Sequence, residues 1–281
     1  MNKNYRPEFK WSSACGAMLL LLMLLGSDRC SGAASVSGQD EVESENSGRL
    51  AHLVYVDLPI DGRSAGQSRQ RLQKILDNVG NVPRAEDRPI IVLEFNNGAA
   101  SSGEGSSFGA CIDLARFISS SAFKHVKTVA YVPGRSQAAQ AGDRGKPAGS
   151  RLSGHAVLVA LAADELVIHA DTRFGMAGLD EPSMDPFVIE AYRNVVGRRL
   201  KLPIPVALAM LNRESELFRV RTDKGLVYVD GAEFRRLEDA GDVLEAETLS
   251  PAGELAEFSG QQLVDLGMMR QTANSRIELA R

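Results

Sequence analysis

The segment from Ser153 to His169 reads Ser-Gly-His-Ala-Val-Leu-Val-Ala-Leu-Ala-Ala-Asp-Glu-Leu-Val-Ile-His, and no other stretch constrains the fold as tightly. A turn of small residues opens directly into an apolar run free of helix breakers, which predicts a buried helix over about His155 to Ala163. Asp164-Glu165 ends the run, and Leu166 to His169 predicts a short strand. A turn that feeds a buried helix directs backbone N–H groups out of the helix start. It is therefore an anion site in principle, and a natural seat for an acyl-transfer serine.

Similar units recur upstream. His52 to Leu58 predicts a strand, and Gln67 to Val79 shows helical spacing through Leu72, Ile75, Leu76 and Val79. Pro89 to Phe95 is a nearly continuous apolar run, the pattern of a strand buried on both faces, and it breaks at the small-residue loop Asn96 to Ala100. Phe108 to Phe117 predicts a second helix and Thr128 to Val132 a third buried strand. Gly134 to Gly149 is a long Gly/Ala/Gln/Arg-rich connection, and such loops inside a domain are either functional or disordered. Farther on, Pro186 to Leu200 predicts a helix, Leu217 to Arg221 and Leu226 to Val229 short strands, and Gly260 to Leu266 a closing helical turn. Three strand–loop–helix units in a row predict an α/β domain with a largely parallel sheet and a ligand site at the carboxyl ends of its strands. Two small-residue loops compete for that place, one after Phe95 and one before Gly154.

Residues 1–34 stand apart. Lys3, Arg6 and Lys10 precede the apolar stretch Ala14 to Leu25, and Gly32-Ala33-Ala34 offers a cleavage site: an export signal, too short for a comfortable membrane span. Lipidation at Cys30 is opposed by the charged Asp28 and Arg29, and an uncleaved anchor is a further alternative. Residues 35–50 are Ser/Gly/Glu-rich and read as a flexible linker, leaving 51–281 as one domain. The net charge of −4 argues against a nucleic-acid partner. With Cys15 and Cys30 in the signal, Cys111 stands alone, so the domain relies on its core rather than a disulfide. Cys111 lies in an apolar helical pattern and reads as a buried thiol rather than a nucleophile. His52, His125 and His169 show no metal-site spacing, and neither a metal nor another cofactor is expected.

Val54 to Leu58, Ile91 to Phe95 with the Asn-Asn-Gly loop after it, Val129 to Val132, Ala160 to Leu166 and Phe174-Gly175 follow one another in a distinctive order. They end with Leu249-Ser250, Phe258 to Gln262 and Leu266-Gly267. Over roughly residues 51 to 270 this order resembles the periplasmic N-terminal domain of the NfeD proteins, membrane-associated serine proteases of the ClpP class. It is more distantly similar to signal peptide peptidase A. The resemblance implies a ClpP/crotonase-like fold, a serine in an Ala-Ser-Ala-Gly turn, a lysine base about forty residues later, and an oxyanion hole. That hole uses backbone N–H groups of a Pro-Gly-Gly loop and of the residue after the serine.

Carried over position by position, the machinery is damaged. Anchored on Ala160-Leu161-Ala162-Ala163-Asp164, the nucleophile position falls on Gly154, and the turn becomes Ser153-Gly154-His155-Ala156. The serine is displaced by one residue, which points its side chain elsewhere. No lysine lies between Lys146 and Lys201, and the region of the base offers Asp180, Glu181, Ser183, Met184 and Asp185. A carboxylate is too weak a base near neutral pH unless burial raises its pKa strongly. The oxyanion loop corresponds to Asn96-Asn97-Gly98-Ala99, so backbone N–H groups of Gly98 and His155 are the oxyanion candidates; Gly98 serving only a tight turn is the plainer reading.

The first reading is therefore an exported, periplasmic or membrane-associated protein without peptidase activity. It binds peptides or partner proteins and associates as a homo-oligomer, and the resemblance adds a stomatin-like membrane protein as a partner. The second reading is a working serine endopeptidase using Ser153 with an unidentified base, Lys146 being one alternative. A triad of Ser153, His155 and Asp164 is opposed by distance, since Asp164 lies ~13 Å down the expected helix. A third reading, an acyl-CoA enzyme of crotonase type, conflicts with export. Arg193, Arg198, Arg199 and Lys201 form a basic helix edge, either solvated or a partner contact.

Overall fold

The computed structural model describes residues 51–79, 88–96, 102–134, 150–199 and 202–280. The expected signal over 1–34, the linker over 35–50, Gly98, Lys146, Leu200, Lys201 and nearly all of the Gly134–Gly149 connection lie outside the described residues. The fold is α/β. Strands β1 (Ala51–Asp57), β2 (Ile90–Asn96) and β3 (Lys127–Val132) stand side by side and parallel. The short β4 (Arg151–Leu152) belongs elsewhere, and β5 (Glu165–Ile168) completes the parallel sheet beside β3, giving the order β1-β2-β3-β5.

The middle strands are buried on both faces, as the apolar run of β2 requires. Ile91, Leu93 and Phe95 enter the main core with residues of α1 (Gly62–Asn78), α2 (Phe108–Ile118) and α3 (Ala156–Leu161). Val92 turns the other way, into a smaller cluster with Val129, Tyr131, Val167 and Ala273. All six residues of α3 are buried. The helix is shorter than the apolar run implies, because Ala162 and Ala163 bond three residues back and tighten the last turn. Helix α1 begins before the apolar spacing does. Asp61 caps it by accepting the N–H groups of Arg63 and Ser64, while the Ser64 hydroxyl accepts the Asp61 N–H.

Asp164 is used structurally. One carboxylate oxygen accepts both the N–H and the hydroxyl of Thr128 at 2.8 Å, and the Thr128 hydroxyl accepts the Asp164 N–H at 2.9 Å. This clasp joins the end of the buried helix to the start of β3. Among the elements not anticipated, β6 (Arg173–Gly175) lies between β4 and β10 (Glu257–Ser259) in a second sheet. A third sheet carries β7 (Leu217–Thr222) between β8 (Gly225–Asp230) and β9 (Glu245–Ser250). Helices α4 (Pro186–Arg199), α5 (Ile204–Leu211), α6 (Gly231–Asp239), α7 (Gly260–Asp265) and α8 (Arg276–Leu279) complete the chain. Among the described residues no helix is long and apolar enough to cross a membrane.

Glu94 interrupts the apolar pattern of β2 and is only 5% exposed. Arg276 at the start of α8 answers it with two hydrogen bonds of 2.7 Å, a forked pair that also lays the guanidinium over the Tyr55 ring. Burial, reinforced by the Glu94 charge, pushes the neighbouring Tyr131 phenol up to about 12. Removing the cation strands a buried carboxylate, so Arg276→Ala is expected to lower unfolding free energy by about 2–3 kcal/mol. Arg276→Lys, which keeps the charge and loses the fork, should recover only part of that loss in urea titrations.

Candidate functional site

Beyond the carboxyl ends of β2 and β3, the turn Ser153-Gly154-His155 meets the segment that follows the Asn96–Ala100 loop. Both donors of Ser153 converge on one carbonyl: its N–H reaches Ser102 O at 2.7 Å and its hydroxyl the same oxygen at 3.3 Å. Ser153 is fully buried. The approach is close because glycine stands on both sides. A Cβ on Gly103, whose φ is +93°, would fall 2.6 Å from Ser153 O, and Gly154 adopts φ +61°. The Gly154 N–H donates to Met176 O at 3.1 Å.

The position where the resemblance places a nucleophile is thus held by a left-handed glycine with no room for a side chain. A Cβ there would come 2.8 Å from Gly103 O and 3.0 Å from Asp180 Oδ2. Asp180 is itself fixed by accepting the Gly105 N–H at 2.8 Å. The acidic stretch that stands where a lysine base is implied does reach the turn, but it brings carboxylates. Next to Asp180, Glu181 Oε1 lies 2.9 Å from His155 Nε2, and the other ring nitrogen of His155 lies 3.2 Å from the Tyr192 hydroxyl.

Hydrogen-bond chemistry fixes one end of the His155 ring. A carboxylate can only accept, so Nε2 is the donor to Glu181, and in the neutral imidazole Nδ1 then accepts from the Tyr192 hydroxyl. Both nitrogens are engaged away from Ser153, and the Phe108 ring closes the edge of the imidazole at 5.1 Å. His155 is 1% exposed and Glu181 31%, so the network runs from the interior to the surface. Burial, with Cys111 and Glu181 nearby, holds the Tyr192 phenol well above its ordinary range; burial likewise pushes the Cys111 thiol up to about 12.

Of the residues singled out in the sequence, Ser153, Gly154, His155, Asp180 and Glu181 come together. Asp164 is tied to Thr128, away from them, and Gly98 lies outside the described residues. Sequence reasoning missed Gly103 and Tyr192. Gly103 sat in a small-residue stretch without a partner to betray its role, and Tyr192 looked like one more core residue of a helix. Among the described residues no group of three or more His, Cys, Asp or Glu side chains is placed to hold a metal ion.

No family model and no curated protein matches the chain. Solved structures to which it is similar include a mutant of the 1510-N membrane-bound stomatin-specific protease in complex with a substrate peptide. The identity is 11% and the TM-score 0.45, over 82% of this chain and 78% of that one. A second mutant of that protease is similar at 10% identity and TM-score 0.43, over 82% and 83% of the two chains. An enoyl-CoA hydratase/isomerase from Marinobacter aquaeolei is similar at 11% and 0.41, over 82% and 69%. Similarity at this level says nothing about chemistry.

Two outcomes follow from the geometry. Gly154→Ser is expected to destabilise the protein by about 2 kcal/mol or more in thermal or urea unfolding, from the positive φ and the two close oxygens. The Cys111 thiol stays neutral in the fold to about pH 12, against an ordinary 9.0, whereas the unfolded chain releases that proton first. Its contribution is complete below pH 9 and lost as pH rises from 9 to about 12. Over that window Cys111→Ala should lose less stability than the parent protein.

Proposed function

We propose that this chain is an exported relative of the NfeD proteins, of the ClpP/crotonase-like class, that has lost peptidase activity and acts by binding a peptide or protein segment beside the Gly154 turn. The observation that carries this reading is the filled nucleophile position: Gly103 O and Asp180 Oδ2 occupy the space a side chain at residue 154 would need. A serine hydrolase needs a hydroxyl paired with a base and aimed at a carbonyl-binding pocket. Here the only serine of the turn is buried and donates its hydroxyl hydrogen bond to a backbone carbonyl, while the adjacent histidine is committed to Tyr192 and Glu181. Removing the nucleophile of a comparable triad enzyme costs on the order of 10⁶ in turnover, and a glycine there carries the same loss.

Backbone donors outlive the loss of side chains, and the N–H groups of Gly98 and His155 are the proposed contacts for a peptide carbonyl or carboxylate. A stomatin-like membrane protein is the proposed partner class, and association of several copies belongs to the same reading. The competing reading, an endopeptidase using Ser153, requires the hydroxyl to leave Ser102 O and find a base.

A fluorophosphonate probe separates the two. The full chain is expected to remain unlabelled at concentrations that label an active serine hydrolase; labelling abolished by Ser153→Ala would overturn the proposal. On an array of peptides tiled through stomatin-like proteins, the parent protein is expected to retain a subset that Gly98→Val loses.

A further inference from the structure

Farther along α2 and α4 from the His155 network, the two helices enclose a cleft of about 400 Å³. That is within the roughly 300–1,000 Å³ range of small-molecule sites. Its floor is aliphatic and buried, formed by Ile112, Ala191 and Val195, and its rim carries the exposed guanidiniums of Arg116 and Arg198. Among the described residues no carboxylate lines it, and neither arginine has an ion-pair partner.

The other polar groups at the rim already have work to do. The Asn194 amide donates to the main chain and side chain of Glu190, and the Ser119 hydroxyl donates to Ala115 O. The donors left for a ligand are cationic. The walls are helices, whose main-chain groups away from the ends bond within the helix, so the cleft offers no extended backbone edge to pair with a strand-like peptide. An aliphatic floor under two guanidiniums that have no ion-pair partner among the described residues suits a ligand with an alkyl chain and an anionic head. A planar carboxylate matches the guanidinium fork.

We propose that this cleft binds a free single-chain alkyl carboxylate, with the chain on Ile112, Ala191 and Val195 and the head held by Arg116 and Arg198. A bilayer lipid, with two acyl chains, exceeds a cleft of this volume. The site is independent of the Gly154 turn, and its occupancy does not depend on whether the protein cleaves peptides.

Calorimetric titration of the full chain with decanoate, decylamine and 1-decanol tests the assignment. Decanoate is expected to saturate at one site, to weaken as salt is raised, and to bind at least tenfold more tightly than decylamine. Because both arginines are exposed, the double variant Arg116→Gln, Arg198→Gln should keep the parent melting temperature and lose roughly tenfold in decanoate affinity, with decanol unchanged. Equal binding of decanoate and decylamine would overturn the proposal. So would undiminished decanoate binding by the double variant, no saturable binding at all, or binding only to phosphatidylglycerol vesicles.

Discussion

The arrangement around the candidate site depends on one close contact between two stretches of backbone. Gly103 and Gly154 allow the segment after β2 and the turn before α3 to touch where any Cβ would keep them apart. With that contact made, Ser153 can direct two donors at Ser102 O, and Asp180 can lie over Gly154 while accepting the Gly105 N–H. His155 follows Gly154 into the interior, and its ring must then find partners there, which Tyr192 and Glu181 supply. A larger residue at either glycine would separate the two stretches. The hydrogen-bond set is thus a consequence of packing and not an independent feature.

The central sheet was legible because its signal is local and strong. The apolar runs around Ile91 to Phe95 and Thr128 to Val132, separated by amphipathic helices, leave few alternatives to a parallel sheet. The run after His155 gave the buried helix, with its end misjudged by two alanines that a helix and a tight turn accommodate equally well. In the third sheet β7 and β8 were expected and β9 was not, and the second sheet was harder still to see. β4, β6 and β10 are two or three residues long, and what holds them is pairing between distant segments, as in Phe258 with Phe174. β9 carries mostly exposed polar residues, so it shows no burial pattern. Propensity cannot reveal a strand whose only reason to be extended is its neighbour.

Of the candidate site, the sequence indicated which residues meet and not how they face one another. Counting back from Asp164 located Gly154, and the absence of a lysine before α4 directed attention to Asp180 and Glu181. What the sequence withheld was direction: that Asp180 lies over the glycine while its neighbour Glu181 turns to the histidine. Adjacent residues in a loop diverge by amounts that no spacing rule records. Tyr192 was hidden for a different reason, since a phenol on the buried face of an amphipathic helix looks like core until its hydroxyl is seen to have a partner.

The pair between Glu94 and Arg276 joins groups separated by 182 positions. During synthesis β2 emerges long before the residue that neutralises it. Until Arg276 leaves the ribosome, the second face of the sheet presents an unanswered carboxylate amid Val92, Val129, Tyr131 and Val167. Until the two are paired, that face stays open to water. Its closure waits for the segment that carries Arg276.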